Sequence, residues 1–301
     1  MADLAPLSGR KAERCHICEA PDLRPYHDQG YRRLLKCKAC RVVFSDPLPT
    51  QAEAEELERL AEAGEILAES ADIYTGYGRD FVEDPITRSF RSALARIATI
   101  REPGTLLDVG PGTGIFLHLA REAGWRGRGI DISPEGAARA AAEFDLEIDV
   151  GIFEESSHSA ESFDCITMFD VVEHSLDPLR FLRRAHELLK PGGALYVAVP
   201  NEHSLMTAIL DRYAQVGLPG STWFLDRLYV APHLFYFGPR VLMSTLERAG
   251  FEVADVRGEH VYLARYELPL WVRLPSELVL RVGGLLGMAG RVLALAKKPG
   301  S

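Results

Sequence analysis

The sequence predicts an α/β fold in which helices cover both faces of a largely parallel sheet, preceded by a small cysteine-rich module. Three observations lead to this prediction. Apolar strand patterns alternate with amphipathic helix patterns over residues 105–201, three glycines lie between the first strand and the first helix, and four cysteines form two pairs near the N-terminus. Such alternation is typical of parallel sheets buried between two helical layers.

The composition of the 301-residue chain is that of an ordinary globular protein, with 47% hydrophobic and 26% charged residues. A net charge of −9 opposes nucleic acid as a substrate, because nucleic-acid binders usually carry a basic face. No apolar stretch reaches the roughly 18 residues of a spanning helix, and the first residues lack the apolar core of a signal peptide. We therefore expect a cytoplasmic protein.

Residues 1–49 are predicted to form a small zinc-ribbon-like module. Its pairs, Cys15-x-x-Cys18 and Cys37-x-x-Cys40, have the spacing of a four-cysteine zinc site. Four thiolates close a tetrahedron around a structural Zn²⁺ and leave no open position for catalysis. The metal would supply the stability that so short a segment cannot obtain from its own core.

Two longer segments follow the module. Residues 50–98 are predicted to be a helical linker, and residues 99–301 to form the main domain. The predicted strands of the main domain lie at 105–110, 126–133, 147–153, 163–174, 194–201, 251–266 and 291–299, with helices between them. The alternation stops at residues 201–237, which we interpret as an aromatic-rich, irregular insert.

The glycine loop after the first strand of the main domain is suited to a nucleoside cofactor. Ligands bind at the carboxyl ends of strands in open parallel sheets, and glycine lets the backbone approach them closely. Asp131 ends the second strand, about twenty residues after Gly110, where a carboxylate can accept both ribose hydroxyls. NAD and S-adenosylmethionine (SAM) both satisfy these conditions. The spacing G-x-G-x-G, shorter than the dinucleotide fingerprint, favours SAM.

Five motifs follow one another along the main domain: LLDVGPGTG, GIDIS, FDCITMFDVVEHSLDP, LLKPGGALYVAVPN and HLFYFGPRVLMSTLERAGFEV. In this order they resemble class I SAM-dependent methyltransferases, in the branch of the ubiquinone-biosynthesis O-methyltransferases. The resemblance covers roughly residues 70–300. It implies a Rossmann-like class I methyltransferase sheet and methyl transfer to a small-molecule acceptor, a hydroxyl of a sugar, phenolic or lipid-like biosynthetic intermediate.

The resemblance also implies which residues hold SAM. Those of the glycine loop would surround its methionine end, one carboxylate would hold the ribose, and apolar residues would contact adenine and the sulfonium; in chain order they are Asp108, Gly110, Gly112, Gly114, Asp131, Ile132 and Phe169. Tyr74 and Tyr77 match an aromatic segment that covers the cofactor in such enzymes, and ordinary helix packing explains them equally well.

Candidate catalytic residues lie in two short segments. Glu173 and His174 follow the fourth strand, where they would act as bases or merely cap the next helix. His233, at the end of the insert, is a second candidate base or an anchor of the insert. The resemblance further implies a divalent cation near Asp170, Glu173 and His174, although Asp170 stands where those relatives usually carry Glu.

Three functions remain open at this stage. One is methyl transfer to a small molecule, which we favour, and another is SAM binding without catalysis. The remaining function is that of an RNA methyltransferase whose zinc module binds RNA through a basic patch: Arg32, Arg33, Lys36, Lys38 and Arg41. The acidic net charge of the protein opposes this function. The apolar stretch 268–290 could contact a membrane or a partner subunit, but packing on the sheet is the favoured interpretation. The oligomeric state is not predicted.

Overall fold

The computed structural model of the protein describes residues 4–66, 85–217, 219–261 and 270–300. Its strands are β1 Leu23–Asp28, β2 Arg33–Cys37, β3 Val43–Asp46, β4 Thr105–Val109, β5 Arg126–Asp131, β6 Ile148–Val150, β7 Phe163–Phe169, β8 Leu189–Pro200, β9 Phe235–Tyr236, β10 Glu252–Glu259 and β11 Arg291–Lys297. Its helices are α1 Gln51–Glu62, α2 Pro85–Ile97, α3 Ile115–Glu122, α4 Pro134–Phe144, α5 Pro178–Leu188, α6 Leu205–Gln215, α7 Ser221–Leu228, α8 Pro239–Arg248 and α9 Leu270–Leu285.

A seven-stranded sheet with the order β10-β11-β8-β7-β4-β5-β6 forms the centre of the main domain, so the predicted Rossmann-like α/β fold is confirmed. Strands β8, β7, β4, β5 and β6 are parallel, as expected. Strand β11 runs antiparallel to both of its neighbours, β8 and β10, which makes the sheet mixed. The strand order reverses at β4, and ligands of open α/β sheets bind at such a reversal.

Local signals in the sequence mark several helix starts correctly. The Ser133 side chain accepts a hydrogen bond from the Gly136 N–H at 3.0 Å, at the start of α4. Asp177 accepts from the Arg180 N–H at 3.0 Å, at the start of α5. Each cap satisfies a backbone donor that the first helical turn leaves without a partner.

The prediction that residues 201–237 are irregular is wrong. This insert contains α6, α7 and the short strand β9. The side chain of Ser204 caps α6 by accepting from the Thr207 N–H at 3.1 Å. A serine just before an apolar run is a helix-start signal, so this helix could have been recognised.

A four-stranded sheet with the order β1-β2-β3-β9 lies beside the central sheet. Strand β3 pairs with β9, where Phe44 lies opposite Phe235. Three of its strands come from the N-terminal residues and the fourth from the insert, a pairing that sequence analysis missed. Buried residues of both parts, including Cys37 and Phe235, share one hydrophobic cluster. The division of the chain at residues 49 and 98 stays a prediction.

The outer face of α9 departs from the favoured interpretation of residues 268–290. Leu280 is buried, but Leu274, Leu278 and Leu285 are exposed, with Leu285 at 88%. Only part of this helix therefore packs on the rest of the protein. Within the described ranges, no helix has the length and apolar character needed to cross a membrane.

Candidate active site

The glycine loop after β4 adopts a conformation that favours glycine. Gly110, Gly112 and Gly114 have φ values of +66°, +54° and +78°. A Cβ at Gly110 would lie 2.7 Å from the Val171 side chain, and one at Gly114 would lie 2.7 Å from that of Leu146. A side chain at Gly110 or Gly114 would therefore cause both backbone strain and a steric clash, because the loop backbone passes close to its neighbours at these positions.

Asp131 and Ile132 lie beside this loop at the end of β5. The Ser133 N–H donates to the Asp131 carboxylate at 2.9 Å. Burial raises the pKa of Asp131, against the opposing effect of N–H groups that include that of Gly112. Ile132 is 43% exposed, an unusual position for a large apolar side chain at a polar strand end. We call the loop 110–114 with Asp131 and Ile132 the cofactor edge.

Asp108 lies beneath the cofactor edge. Its side chain is buried and accepts a hydrogen bond from the Thr167 hydroxyl at 2.6 Å. Burial raises the pKa of Asp108 to about 8, the Thr167 hydrogen bond lowers it, and the nearby Asp131 adds to the rise. The structure thus places the Asp108 carboxyl against strand β7 rather than in the loop itself.

Phe169 belongs to an aromatic cluster at the end of β7. Its ring centroid lies 4.7 Å from that of Phe116, 4.9 Å from that of Phe90 and 5.5 Å from that of Tyr196. The cluster fixes the ring next to the 170–174 turn. The two tyrosines predicted to cover the cofactor, Tyr74 and Tyr77, lie outside the described residues.

The structure brings together the three catalytic candidates, which the sequence places in two separate segments. His174 lies in the turn after β7, His233 lies before β9, and their ring centroids are 4.7 Å apart with planes at 83°. The Glu173 carboxylate and both imidazoles have atoms within 4.8 Å of one another. The Leu234 N–H donates to the Glu173 carbonyl at 2.8 Å, which joins the two segments.

Glu58, on α1, completes this group and was missed by sequence analysis. Its Oε1 atom lies 2.5 Å from Nδ1 of His174. Helix α1 carries several glutamates, such as Glu55 and Glu56, and nothing in the sequence distinguishes the one that reaches the turn. We call Glu58, Glu173, His174 and His233 the histidine corner.

The two histidines have opposite pKa shifts. Burial lowers the pKa of His174, but the nearby carboxylates, Glu58 first, outweigh burial and raise it to about 9. Burial lowers the pKa of His233 well below its ordinary value, and the positive charges of His174 and Arg32 lower it further. Near neutral pH, His174 is therefore protonated and His233 is neutral.

The predicted cation set of Asp170, Glu173 and His174 is not brought together. The Asp170 carboxylate pairs with Arg291 at 2.7 Å, and Arg291 also contacts Glu259 at 2.9 Å. The guanidinium already supplies the positive charge that a cation would bring to Asp170. Asp170 therefore stands apart from the group that could hold a cation, whereas Glu173 and His174 lie in such a group together with His233, and the cation itself stays a prediction.

The four cysteines of the N-terminal module do come together. Their sulfurs lie within 4.8 Å of one another, with Cys15–Cys40 and Cys18–Cys37 separations of 3.6 Å. A tetrahedral zinc with Zn–S bonds of about 2.3 Å has sulfurs roughly 3.8 Å apart, so the geometry fits this ion.

The cofactor edge and the histidine corner adjoin. Val171 of the 170–174 turn lies against the loop at Gly110, and the charge of Glu58 acts on both Asp131 and His174. The class I methyltransferase type of enzyme is defined by four features found together here. They are a sheet whose strand order reverses at β4, a glycine loop, a carboxylate at a strand end and an adjoining group of histidines and glutamates.

Comparison with known proteins identifies the family. A family model described as "Methyltransferase domain" matches residues 82–256, more than half of the chain, and the chain belongs to this family. It is an enzyme, a SAM-dependent methyltransferase, as the motifs predicted.

Curated relatives agree with the predicted branch. The chain is 30% identical over 167 residues to the ubiquinone biosynthesis O-methyltransferase of Actinobacillus pleuropneumoniae serotype 7, covering 52% of this chain and 68% of the relative. It is 28% identical over 170 residues to the enzyme of the same name from Xanthomonas campestris pv. campestris strain B100, covering 54% and 68%.

Two solved structures share the fold. One is the complex between the Haloferax volcanii Trm112 methyltransferase activator and a methyltransferase, with a TM-score of 0.55, 24% identity, and coverage of 76% of this chain and 97% of the other. The other is the Burkholderia thailandensis 1,6-didemethyltoxoflavin-N1-methyltransferase, with a TM-score of 0.51, 18% identity, and coverage of 92% and 99%. At these identities the likeness shows the fold alone.

Proposed function

We propose that this enzyme methylates a hydroxyl of a small-molecule acceptor and that His233 is the base. The observation that carries the proposal is the pair formed by half-buried His174 and buried His233 beside the cofactor edge. Neighbouring titratable groups whose pKa values are pushed apart are typical of acid–base assignments. The curated O-methyltransferases that the chain resembles support the same chemistry.

The cofactor edge would supply the groups that SAM needs. The Asp131 carboxylate would accept the ribose hydroxyls, Ile132 would pack against the adenine ring, and the loop backbone would surround the methionine end. When bound, SAM supplies an electrophilic methyl group, and its sulfur keeps the electron pair of the broken C–S bond. The chain's own residues must therefore align the acceptor and manage its proton.

The histidine corner would handle that proton. His233 is neutral, so it can accept the proton that leaves the acceptor hydroxyl as the new C–O bond forms. Glu58 holds Nδ1 of His174, which leaves Nε2 of the imidazolium to donate to the acceptor oxygen. The pair thus combines a base with a hydrogen-bond donor for developing negative charge.

The four cysteines would hold a structural Zn²⁺. All four tetrahedral positions are filled by sulfur, so this metal would not take part in methyl transfer. The RNA alternative loses support in this region, because Arg32 and Lys36 of the predicted RNA footprint are buried. Lys36 pairs there with Glu202 at 2.9 Å instead of facing outward.

The test is methyl transfer from radiolabelled SAM into a host extract, separated into small molecules and nuclease-sensitive polymer. We expect label in the small-molecule fraction, with transfer by His233→Asn reduced by about 10²-fold or more. His186→Asn, on α5, is the matched control. Affinity for S-adenosylhomocysteine, measured by calorimetry, should be unchanged in both variants. Full activity of His233→Asn, or label lost to nuclease, would contradict the proposal.

A further inference from the structure

A buried arginine in the N-terminal module contacts the segment that carries His233. Arg32, immediately before β2, is 2% exposed. Its guanidinium donates to the carbonyls of His233 and Val230 at 2.7 Å, and to those of Ala231 and Tyr229 at 3.1 and 3.2 Å. Four backbone acceptors within the five-residue loop 229–233 therefore converge on a single side chain.

Two further hydrogen bonds complete the surroundings of the Arg32 guanidinium. Nε donates to the Gln29 side-chain oxygen at 2.8 Å, and Nη2 donates to the Tyr236 hydroxyl at 3.2 Å. A buried charge is tolerated only where hydrogen bonds replace water around it, and buried carbonyls have the same requirement. The guanidinium and the 229–233 loop therefore satisfy each other, and the loop has one favoured position.

The residue after His233 is fixed from two sides. The Ser45 N–H, on β3, donates to the Leu234 carbonyl at 2.9 Å, while the Leu234 N–H donates to the Glu173 carbonyl. Strand β9 begins at the next residue and pairs with β3. The backbone around His233 is thus held by the module on one side and by the 170–174 turn on the other.

We propose that Arg32 is a positioning residue for His233, so that the four-cysteine module forms part of the acceptor site instead of a separate binding domain. The inference rests on the proposed role of His233 as the base. Cys37 ends the strand that Arg32 precedes, so a metal held by the cysteines would stabilise the same hairpin. The module then acts through the loop backbone and never contacts the reacting atoms.

Arg32 has an electrostatic effect as well. The charged groups that face His233 are Arg32 and His174, and both lower its pKa, while Glu173 and Tyr236 lie nearby. Removing the guanidinium should therefore raise the pKa of His233. A residue that merely filled space would not have this effect, so the titration of His233 separates positioning from simple packing.

The test compares Arg32→Met with Arg33→Met in the full-length, zinc-loaded protein. Arg33 is exposed and lies 3.7 Å from Asp46, which makes it a matched control. In Arg32→Met we expect amide exchange in peptides spanning 229–237 to rise at least about tenfold, since several hydrogen bonds are lost. NMR titration should show a raised His233 pKa, kcat should fall, and affinity for S-adenosylhomocysteine should stay within about twofold because the cofactor edge is intact.

Unchanged exchange and an unchanged His233 titration in a folded Arg32→Met protein would overturn the inference. If Arg32→Met does not fold, Arg32→Lys decides, because it keeps the charge but has fewer donors and should loosen the same peptides. If exchange and titration respond as expected while His233→Asn stays active, the positioning role stands and the proposed base is wrong. The two failures are therefore distinguishable.

Discussion

The cofactor edge and the histidine corner lie side by side but are built in different ways. The cofactor edge comes from one stretch of chain, residues 110–132, and depends on backbone conformation at three glycines and on one strand end. The histidine corner takes Glu58 from α1, two residues from the turn after β7, and His233 from the insert. A site made locally is encoded by local residue types, whereas a site made from distant segments depends on everything that packs those segments together.

Loss of zinc from the four-cysteine module should have the largest effect on methyl transfer. It should impair the histidine corner but leave cofactor binding at the cofactor edge intact. We expect Cys37→Ser to lose zinc and to lower methyl transfer by about 10³-fold, because structural zinc contributes on the order of 10 kcal/mol to folding of small modules. S-adenosylhomocysteine should still bind, since the cofactor edge lies in the main domain. Zinc content, calorimetry and transfer assays check this, with Cys165→Ala as the control. Equal loss of cofactor binding would show that the two regions are not separable.

The cofactor edge should be sensitive to a single methyl group. In Gly110→Ala, left-handed strain and contact with Val171 together should weaken SAM binding by about 10- to 100-fold. Gly217→Ala, which has a similar positive φ but open space around it, is the control for strain alone. Calorimetry with S-adenosylhomocysteine measures the difference. Wild-type affinity in Gly110→Ala would mean that the loop is more adaptable than its geometry indicates.

The ion pair of the histidine corner should set the alkaline limit of activity. The pKa of His174 is raised to about 9, so its charge is present at neutral pH and is lost as pH rises through about 9. Glu58, Glu173 and Asp170 face it as carboxylates, and His233 faces it as a neutral ring.

In Glu58→Gln, we expect the alkaline limb of the pH–rate profile to move to lower pH and the rate at pH 8 to fall several-fold. Glu56→Gln, an exposed neighbour on the same helix, should leave the profile unchanged. A limb that stays near pH 9 in Glu58→Gln would assign it to another group.

The smallest expected effect concerns an apolar contact at the cofactor edge. Ile132→Ala should weaken SAM binding about five- to tenfold, in line with roughly 1 kcal/mol for a partly buried side chain on binding. Leu285→Ala, which is also exposed but lies on α9, should not change affinity. Unchanged affinity in Ile132→Ala would remove this residue from the predicted adenine contact.

Sequence analysis predicted the elements that have local signals. The alternation of strands and helices, the glycine loop and the cysteine spacing each come from residue types at fixed separations. The strands and helices of the main domain alternate in the order that was expected. The insert was misjudged because its aromatic residues obscured the capping signal at Ser204. Phe235 and Tyr236 proved to be core residues against the module, whereas Trp223 is exposed.

The residues that sequence analysis missed act through contacts between distant segments. Glu58 lies 116 positions from His174, and its helix offers other glutamates of identical chemistry. Arg32 was assigned to a basic patch, although its donors point into the protein toward the 229–233 loop. No spacing rule connects such pairs, because only packing decides which side chain reaches which partner.

By itself, the sequence determined the sheet, the cofactor loop and the cysteine pairs, since these depend on backbone conformation and on ligands close together in the chain. Only the tertiary structure decided that Glu173, His174 and His233 meet, that Asp170 turns to Arg291, and that the module completes its sheet with β9. The physical reason is that pKa values and hydrogen-bond partners of buried groups follow from three-dimensional neighbours, which no local pattern specifies.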